Sequence, residues 1–192
     1  MMGSRALPAY VCAAANLAAV VALVTVLSPG TTLSDDATRA AYVRDHVVVW
    51  RVGWALWVLA AISLLLFYAW WRSRIGAGWI ALGIAAAGFA ADLTAESLLI
   101  AIVPDRPDLA RTCFFLTGTV ANGCYSIAGI VLSLRTRALR GLLVPWTGAL
   151  WASGLTLSVF AAVDQPLGVA ASTAVLFALF LPWLIVVGRQ LA

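Results

Sequence analysis

The sequence predicts an all-α fold: a polytopic membrane bundle of six transmembrane helices, with both termini in the cytoplasm. The first observation is composition, because 64% of the residues are hydrophobic and only 10% are charged, whereas about a quarter of a soluble domain is charged. The second is the presence of six apolar runs, each near the roughly 20 residues that cross a hydrocarbon core. The third is the unequal placement of arginine between alternate loops.

The predicted spans form one transmembrane domain, residues 1–192. They cover residues 8–28, 46–71, 76–103, 111–134, 142–163 and 167–188. The first run follows Arg5 and resembles a signal peptide, but it is too long for one and no small-residue cleavage motif closes it, so we interpret it as a retained span. The only long connection, 29–45, is polar and is expected to lie outside the bilayer.

The charges of the loops predict the orientation of the chain. One side of the six-span arrangement carries seven positive charges and no acid: Arg5, Arg72, Arg74, Arg135, Arg137, Arg140 and Arg189. The opposite side carries most of the acids: Asp35, Asp36, Asp45, Asp105, Asp108 and Asp164, with Arg39, Arg44, Arg106 and Arg111. Because arginine-rich loops stay in the cytoplasm, both termini are expected there.

The same composition excludes several classes of function. The net charge of +4 reflects topology, and no basic, aromatic-interleaved face typical of nucleic-acid binding is present. Cys12, Cys113 and Cys124 lie at no metal-ligand or redox spacing, so we expect no disulfide, no metal and no other cofactor. The absence of lysine in a chain rich in Ala, Leu and Val indicates a bacterial protein, placed in the cell membrane.

Three charged residues remain once the charges of the loops and span ends are placed; they lie within predicted spans, where such residues are functional candidates by default. Asp92 and Glu96 lie one turn apart on the third span, and Arg51 lies on the second span at about the depth of Glu96. We expect Asp92 and Glu96 to share a helix face and point into one cavity. We expect Arg51 to pair with one of the acids; the alternative is that it reaches to the headgroups. Two acids against one arginine leave at least one that retains its proton.

Other polar and aromatic residues lie at similar depth. Asn16, Asn122 and Tyr125 are predicted to face the acids, although each could serve only as an interhelical hydrogen bond. Trp50, Trp54 and Trp57 form an aromatic stripe on the second span, to which Phe89 adds a ring. Five further tryptophans lie at the inner helix ends and are predicted to form an interfacial belt: Trp70, Trp71, Trp79, Trp146 and Trp183.

A protonated acid in a dry, aromatic cavity is suited to protonating an alkene or epoxide of a lipid-soluble substrate. Aromatic faces then stabilise the resulting cation, and the absence of water protects it. The sequence therefore favours an acid–base enzyme whose substrate is a lipid-soluble small molecule.

On the stretches ADLTAE, which contains Asp92 and Glu96, and WRVGWALW, which contains Trp50 to Trp57, the chain resembles the small integral-membrane terpene cyclases of meroterpenoid and indole-terpenoid pathways. More distantly, it is similar to the sigma-2-receptor and sterol-isomerase family. The resemblance implies metal-independent cyclisation of a prenylated substrate, with Asp92 and Glu96 as catalytic residues. Arg51 and the aromatic and amide residues named above would bind substrate.

The sequence leaves the assignment of roles as a hypothesis. Asp92 is the expected acid, and Glu96, paired with Arg51, the expected anion, so that Arg51→Ala should destabilise the protein by leaving Glu96 unpaired. Two rival functions remain open: a proton-coupled transporter that loads protons on Asp92 and Glu96, and a structural or binding subunit. The lack of internal repeats, and of a broken span near the acids, weighs against the transporter. The oligomeric state is left open.

Overall fold

The computed structural model describes residues 6–32 and 36–192, in which all regular secondary structure is helical. Arg5 and Asp35, two of the loop charges that predict orientation, lie outside the described residues. The described chain forms seven helices. They are α1 (Leu7–Thr31), α2 (Asp36–Asp45), α3 (Val47–Ile75), α4 (Trp79–Ala101), α5 (Pro107–Arg135), α6 (Leu143–Ala162) and α7 (Pro166–Leu191).

Six of these helices, all except α2, are long and apolar enough to cross a membrane. The predicted fold class is therefore confirmed, and the protein is a multi-pass membrane protein. The segment 29–45 differs from its prediction as a plain polar connection, because α1 continues to Thr31 and Asp36–Asp45 is helical. Helix α2 packs on the end of α1 and on α3, and the Tyr42 hydroxyl donates to the Val26 carbonyl at 2.6 Å.

The six spans are arranged as a closed ring in chain order. Each long helix packs on the next, from α1 against α3 to α6 against α7, and α7 returns to pack on α1. Short connections force consecutive spans to run antiparallel. The turn between α3 and α4 is only three residues long, 76–78, and Gly76 and Gly78 have φ angles of 68° and 96°, which glycine adopts without strain.

Two spans are not regular α-helices along their whole length. Helix α1 contains a π-helical segment at Leu23–Leu27, and α5 contains another at Leu116–Ala121. The second segment packs on α4, so one span is irregular directly beside the helix that carries the acids. Helix α5 is nevertheless continuous from Pro107 to Arg135, which agrees with the prediction that no span is broken near the acids. Isolated π segments of this kind are frequent at functional sites.

The inner end of the bundle is filled by aromatic side chains. Trp71 and Trp183 are fully buried, and their indole N–H groups donate to the hydroxyls of Thr136 at 2.9 Å and Thr147 at 2.8 Å. The prediction that these two residues belong to an interfacial belt was wrong. Both indole side chains point into the interior of the bundle, where their N–H groups find hydrogen-bond acceptors. By contrast, Trp79 is 68% exposed and stacks under the Arg72 guanidinium, 3.4 Å from the ring centroid.

Candidate functional site

A cavity of about 1420 Å³ occupies the centre of the helical ring and is lined by all six spans. One end, which we call the mouth, is bordered by charged residues: Asp36, Arg39, Asp108, Arg111 and Asp164. The other end, which we call the floor, is formed by Tyr68, Trp151 and Phe180. The cavity therefore extends from the predicted outer surface into the middle of the bundle.

Asp92 is the carboxyl group that lines the cavity below the mouth, among the described residues. Its side chain is 6% exposed, and both of its oxygens contact hydroxyl groups of α5. The Thr117 hydroxyl donates to Oδ1, and the Tyr125 hydroxyl donates to Oδ2 at 3.3 Å. All three residues line the cavity, so a carboxyl group held at both oxygens faces a space large enough for a substrate.

Close contact between α4 and α5 makes this arrangement possible. Gly88 lies one turn before Asp92, and a Cβ atom at Gly88 would approach the Cys124 Cβ to 2.8 Å and the Ala121 carbonyl oxygen to 3.0 Å. Glycine therefore lets the two backbones approach closely, as small residues commonly do between membrane helices. Tyr125 is in turn fixed from below, since the Tyr68 hydroxyl donates to its carbonyl at 2.7 Å and the two rings stack.

Glu96 occupies a different environment from Asp92. Its side chain is fully buried, it is absent from the cavity lining, and neither carboxyl oxygen has a hydrogen-bond partner among the described residues. The expectation that both acids point into one cavity was therefore wrong. A buried carboxylate without a partner is costly, and the structure is accordingly best satisfied with Glu96 as a neutral acid.

The predicted ion pair between Arg51 and an acid was also wrong. The Arg51 side chain is exposed, and its Nε donates to the Ile100 carbonyl at 3.0 Å. Arg51 follows Trp50 on α3 and so points about 100° away from it around the helix. Trp50 takes the inward direction and donates from Nε1 to the Leu99 carbonyl at 2.7 Å. Together the two residues satisfy carbonyls of the last turn of α4, which have no partner within that helix.

The tryptophan stripe lines the cavity as the sequence predicts. Trp50, Trp54 and Trp57 all contribute to the wall. Trp54 lies beside Phe114, with ring centroids 6.2 Å apart, and Trp57 meets Phe177 edge to face at 5.8 Å. Phe89 does not join them; it is partly buried against the hydrophobic core and is absent from the lining.

The two asparagines at the depth of the acids line the cavity, but unlike Tyr125 they bind other partners than Asp92. Asn16 donates to the Cys12 carbonyl at 2.9 Å, whereas Asn122 donates to the Gly154 carbonyl at 2.6 Å and to the Ser158 hydroxyl at 2.9 Å. The interhelical alternative that the sequence left open for Asn122 is therefore observed, and the Asn16 bond lies within α1. Both side chains stay at the wall, where an occupant of the cavity would pass them.

Sequence reasoning missed several residues of this site. Thr117, Phe114 and Phe177 all border the cavity, and Tyr68 forms part of its floor. Thr117 had a weak signal, a hydroxyl at a suitable depth, but its contact with Asp92 depends on the π-helical segment that contains it. Phe114 and Phe177 look like ordinary lipid-facing residues in an apolar span.

Comparisons of this chain with protein-family models, curated proteins and solved structures find no match.

Proposed function

We propose that the protein is an intramembrane acid–base enzyme that protonates an alkene or epoxide of a lipid-soluble isoprenoid and guides its cyclisation or isomerisation. The observation that carries this proposal is Asp92, the one described carboxyl group of a membrane span that both lines the large cavity and is held by two hydroxyls. An ionisable group is costly in a membrane, and Asp92 faces a cavity in which a substrate could reach it. A bacterial cell membrane is the proposed location.

The proposed reaction begins with proton transfer from the Asp92 carboxyl to the substrate. With an alkene, a new C–H bond forms and the neighbouring carbon becomes a cation; with an epoxide, a new O–H bond forms as the C–O bond breaks. A second alkene then attacks the cation, forming a C–C bond. Finally, a C–H bond next to the last cation breaks and its proton returns to the Asp92 carboxylate. Atoms and electrons balance without an oxidant, a reductant or a metal.

The wall around Asp92 is suited to these steps. The hydroxyls of Thr117 and Tyr125 hold the carboxyl in one orientation, and hydroxyl donors stabilise its anion after the proton leaves. Trp57 is level with Asp92 across the antiparallel α3–α4 contact, because Trp50 is level with Leu99. The faces of Trp57 and Phe177 are therefore near the position where positive charge would develop, and aromatic faces attract cations.

Glu96 takes a new role in this proposal. The hypothesis of an anion paired with Arg51 is withdrawn, since the pair does not form. A neutral Glu96 one turn from Asp92 instead avoids placing two negative charges beside each other in a dry environment.

The test is turnover of a terpenyl substrate by the purified protein in detergent, carried out in D2O. A prenylated aromatic compound and its terminal epoxide are the probes. The wild-type protein is expected to convert one of them to a cyclic isomer. The product of the alkene probe would carry one deuterium on carbon, which the protonation step introduces. Asp92→Asn is expected to lower turnover by at least about 10²-fold, the lower range for loss of a general acid.

Asp105→Asn is the matched control, because Asp105 is exposed and lies outside the cavity lining. It should retain full turnover. A wild-type protein that converts neither probe, or an Asp92→Asn variant that turns over normally, would contradict the proposal.

The second candidate is a proton-coupled carrier of a small solute. The position of Asp92 favours it, because an intramembrane carboxyl group that faces a cavity is also a feature of the proton relays of transporters. The two functions separate experimentally: an enzyme converts substrate in detergent, whereas a carrier needs a sealed vesicle and a proton gradient. Uptake that depends on Asp92, without chemical change of the solute, would establish the carrier.

A further inference from the structure

The cavity is long as well as large. Its lining on α7 extends from Pro166 to Leu181, which corresponds to about 22 Å at the helical rise of about 1.5 Å per residue. Its volume of about 1420 Å³ exceeds the roughly 300–1,000 Å³ of pockets that hold drug-sized ligands. The space therefore has the dimensions of an extended chain rather than of a compact solute.

Polarity changes along this length. Apart from Asp92, the acidic and basic side chains of the described lining are confined to the mouth, where Arg111 pairs with Asp164 and Arg39 with Asp36. Below the mouth, the described wall is mostly apolar, with residues such as Val20, Leu64, Leu157, Val169, Leu176 and Phe177. An occupant that satisfies both regions is polar at one end and hydrocarbon along the rest.

The floor is fixed in position by hydrogen bonds. Trp151 donates from Nε1 to the Ser133 hydroxyl at 2.9 Å, and the Tyr68 hydroxyl donates to the Tyr125 carbonyl at 2.7 Å. Phe180 stacks on Trp183, with ring centroids 6.3 Å apart. Moving these rings aside would break bonds that are hard to replace in an apolar interior, so the floor is a fixed limit to the cavity.

We propose that the cavity binds a single-chain amphiphile with its polar end at the mouth, and that the floor of Tyr68, Trp151 and Phe180 sets the maximum chain length. The isoprenoid nature of the chain rests on the proposed function; its orientation and length limit rest on the cavity alone. A chain that is too long meets the floor and must either buckle or leave its polar end outside the mouth.

The experiment measures binding, so it needs no turnover. Purified protein in detergent is mixed with geraniol, farnesol, geranylgeraniol or geranylfarnesol, and bound alcohol is quantified by native mass spectrometry. Detergent micelles already offer the alcohols an apolar environment, so differences in the amount of alcohol bound to the protein reflect how well each chain fits the cavity. For the wild-type protein, affinity is expected to pass through a maximum and to fall by about tenfold or more for the next longer alcohol, a difference of about 1.4 kcal/mol.

Two variants should move this limit in opposite directions. Phe180→Ala deepens the cavity and should shift the preference to a longer alcohol. Ala174→Phe fills the wall six residues, or about 9 Å, above Phe180 on α7, and should shift it to a shorter one. Val175→Phe is the matched control, because the neighbouring Val175 is 52% exposed and lies outside this cavity; its preference should equal that of the wild-type protein.

An unchanged preference in Ala174→Phe would overturn the proposal even if Phe180→Ala fails to fold. Affinity that does not depend on chain length in the wild-type protein would also overturn it. These outcomes are distinguishable from failure of the proposed function. Loss of turnover in Asp92→Asn together with affinity that is independent of chain length would support the proposed enzyme and contradict the proposed length limit. A clear length limit without turnover of either probe would support the length limit and contradict the proposed enzyme.

Discussion

The two acids of α4 show how environment separates chemically similar residues. Asp92 and Glu96 lie on one helix face, yet Asp92 lines a cavity and accepts two hydroxyl hydrogen bonds, whereas Glu96 is fully buried and has no partner among the described residues. Pairs of carboxyl groups in unlike environments commonly take unlike roles. The proposed function therefore assigns the reactive role to Asp92.

A pair of substitutions tests this separation of roles through stability. Arg51→Ala is expected to change the free energy of unfolding by less than about 1 kcal/mol, because Arg51 is exposed and its Nε donates to a backbone carbonyl, that of Ile100. Glu96→Gln, which replaces a neutral acid with a neutral amide of similar size, is also expected to be nearly neutral. Reversible unfolding of both variants in mixed micelles measures these differences.

Breaking a buried ion pair would give a much larger effect. Removal of one partner typically costs about 3–5 kcal/mol. A loss of that size in Arg51→Ala that disappears in the double variant with Glu96→Gln would show that Arg51 and Glu96 form an ion pair. It would contradict the contacts of Arg51 and Glu96 in this structure.

Helix α5 brings two hydroxyls to one carboxyl because it is not regular. Thr117 and Tyr125 are eight residues apart, and in an ideal α-helix such positions differ by about 80° around the axis. The π-helical segment Leu116–Ala121 contains more residues per turn, which reduces that angle. Both side chains can therefore reach Asp92 from the same helix.

The close approach of α4 and α5 predicts opposite effects for two glycines of α4. Gly88→Ala places a methyl group 3.0 Å from the Ala121 carbonyl oxygen and 2.8 Å from the Cys124 Cβ, so the helices must separate at the turn before Asp92. We expect it to lower the free energy of unfolding by about 1–3 kcal/mol, the usual cost of overpacking. Turnover should fall with it, because the Tyr125 contact lengthens.

Gly83→Ala is the matched control on the same helix. A Cβ atom at Gly83 meets nothing within 4 Å, and alanine in a helix interior is favoured over glycine by roughly 0.5–1 kcal/mol. Gly83→Ala should therefore be neutral or stabilising, with unchanged turnover. If both variants behaved alike in unfolding and turnover assays, the close contact at Gly88 would not be what positions Asp92.

At the scale of the whole molecule, hydropathy predicts where the spans lie but not which way their side chains turn. All six predicted spans overlap the observed ones, because the length of apolar runs and the positions of Pro and Gly fix helix ends. Trp71 and Trp183 were assigned to the membrane interface from depth alone, yet helix rotation buries both. Thr117 and Phe177 were missed for the same reason, since which face turns inward depends on packing among all the spans.

The orientation of the whole bundle remains a prediction from its charges. The end of the bundle opposite the mouth contains six described arginines, among them Arg72, Arg135 and Arg137, and no described acid. The mouth of the cavity contains Asp108 and Asp164. Arginine-rich ends remain in the cytoplasm. The mouth should therefore open toward the outer side of the membrane, and a chain-like substrate would enter from that side.

Single-cysteine labelling tests this orientation directly. In a background with Cys12, Cys113 and Cys124 replaced, Asp105→Cys and Arg137→Cys place thiols at opposite ends of the bundle, both at exposed positions. A membrane-impermeant maleimide applied to intact cells is expected to label Asp105→Cys, and to label Arg137→Cys only after lysis. The reverse pattern would invert the bundle and make the mouth face the cytoplasm. The acid at Asp92 would then receive substrates from the cytoplasmic leaflet, although its contacts within the cavity would be the same.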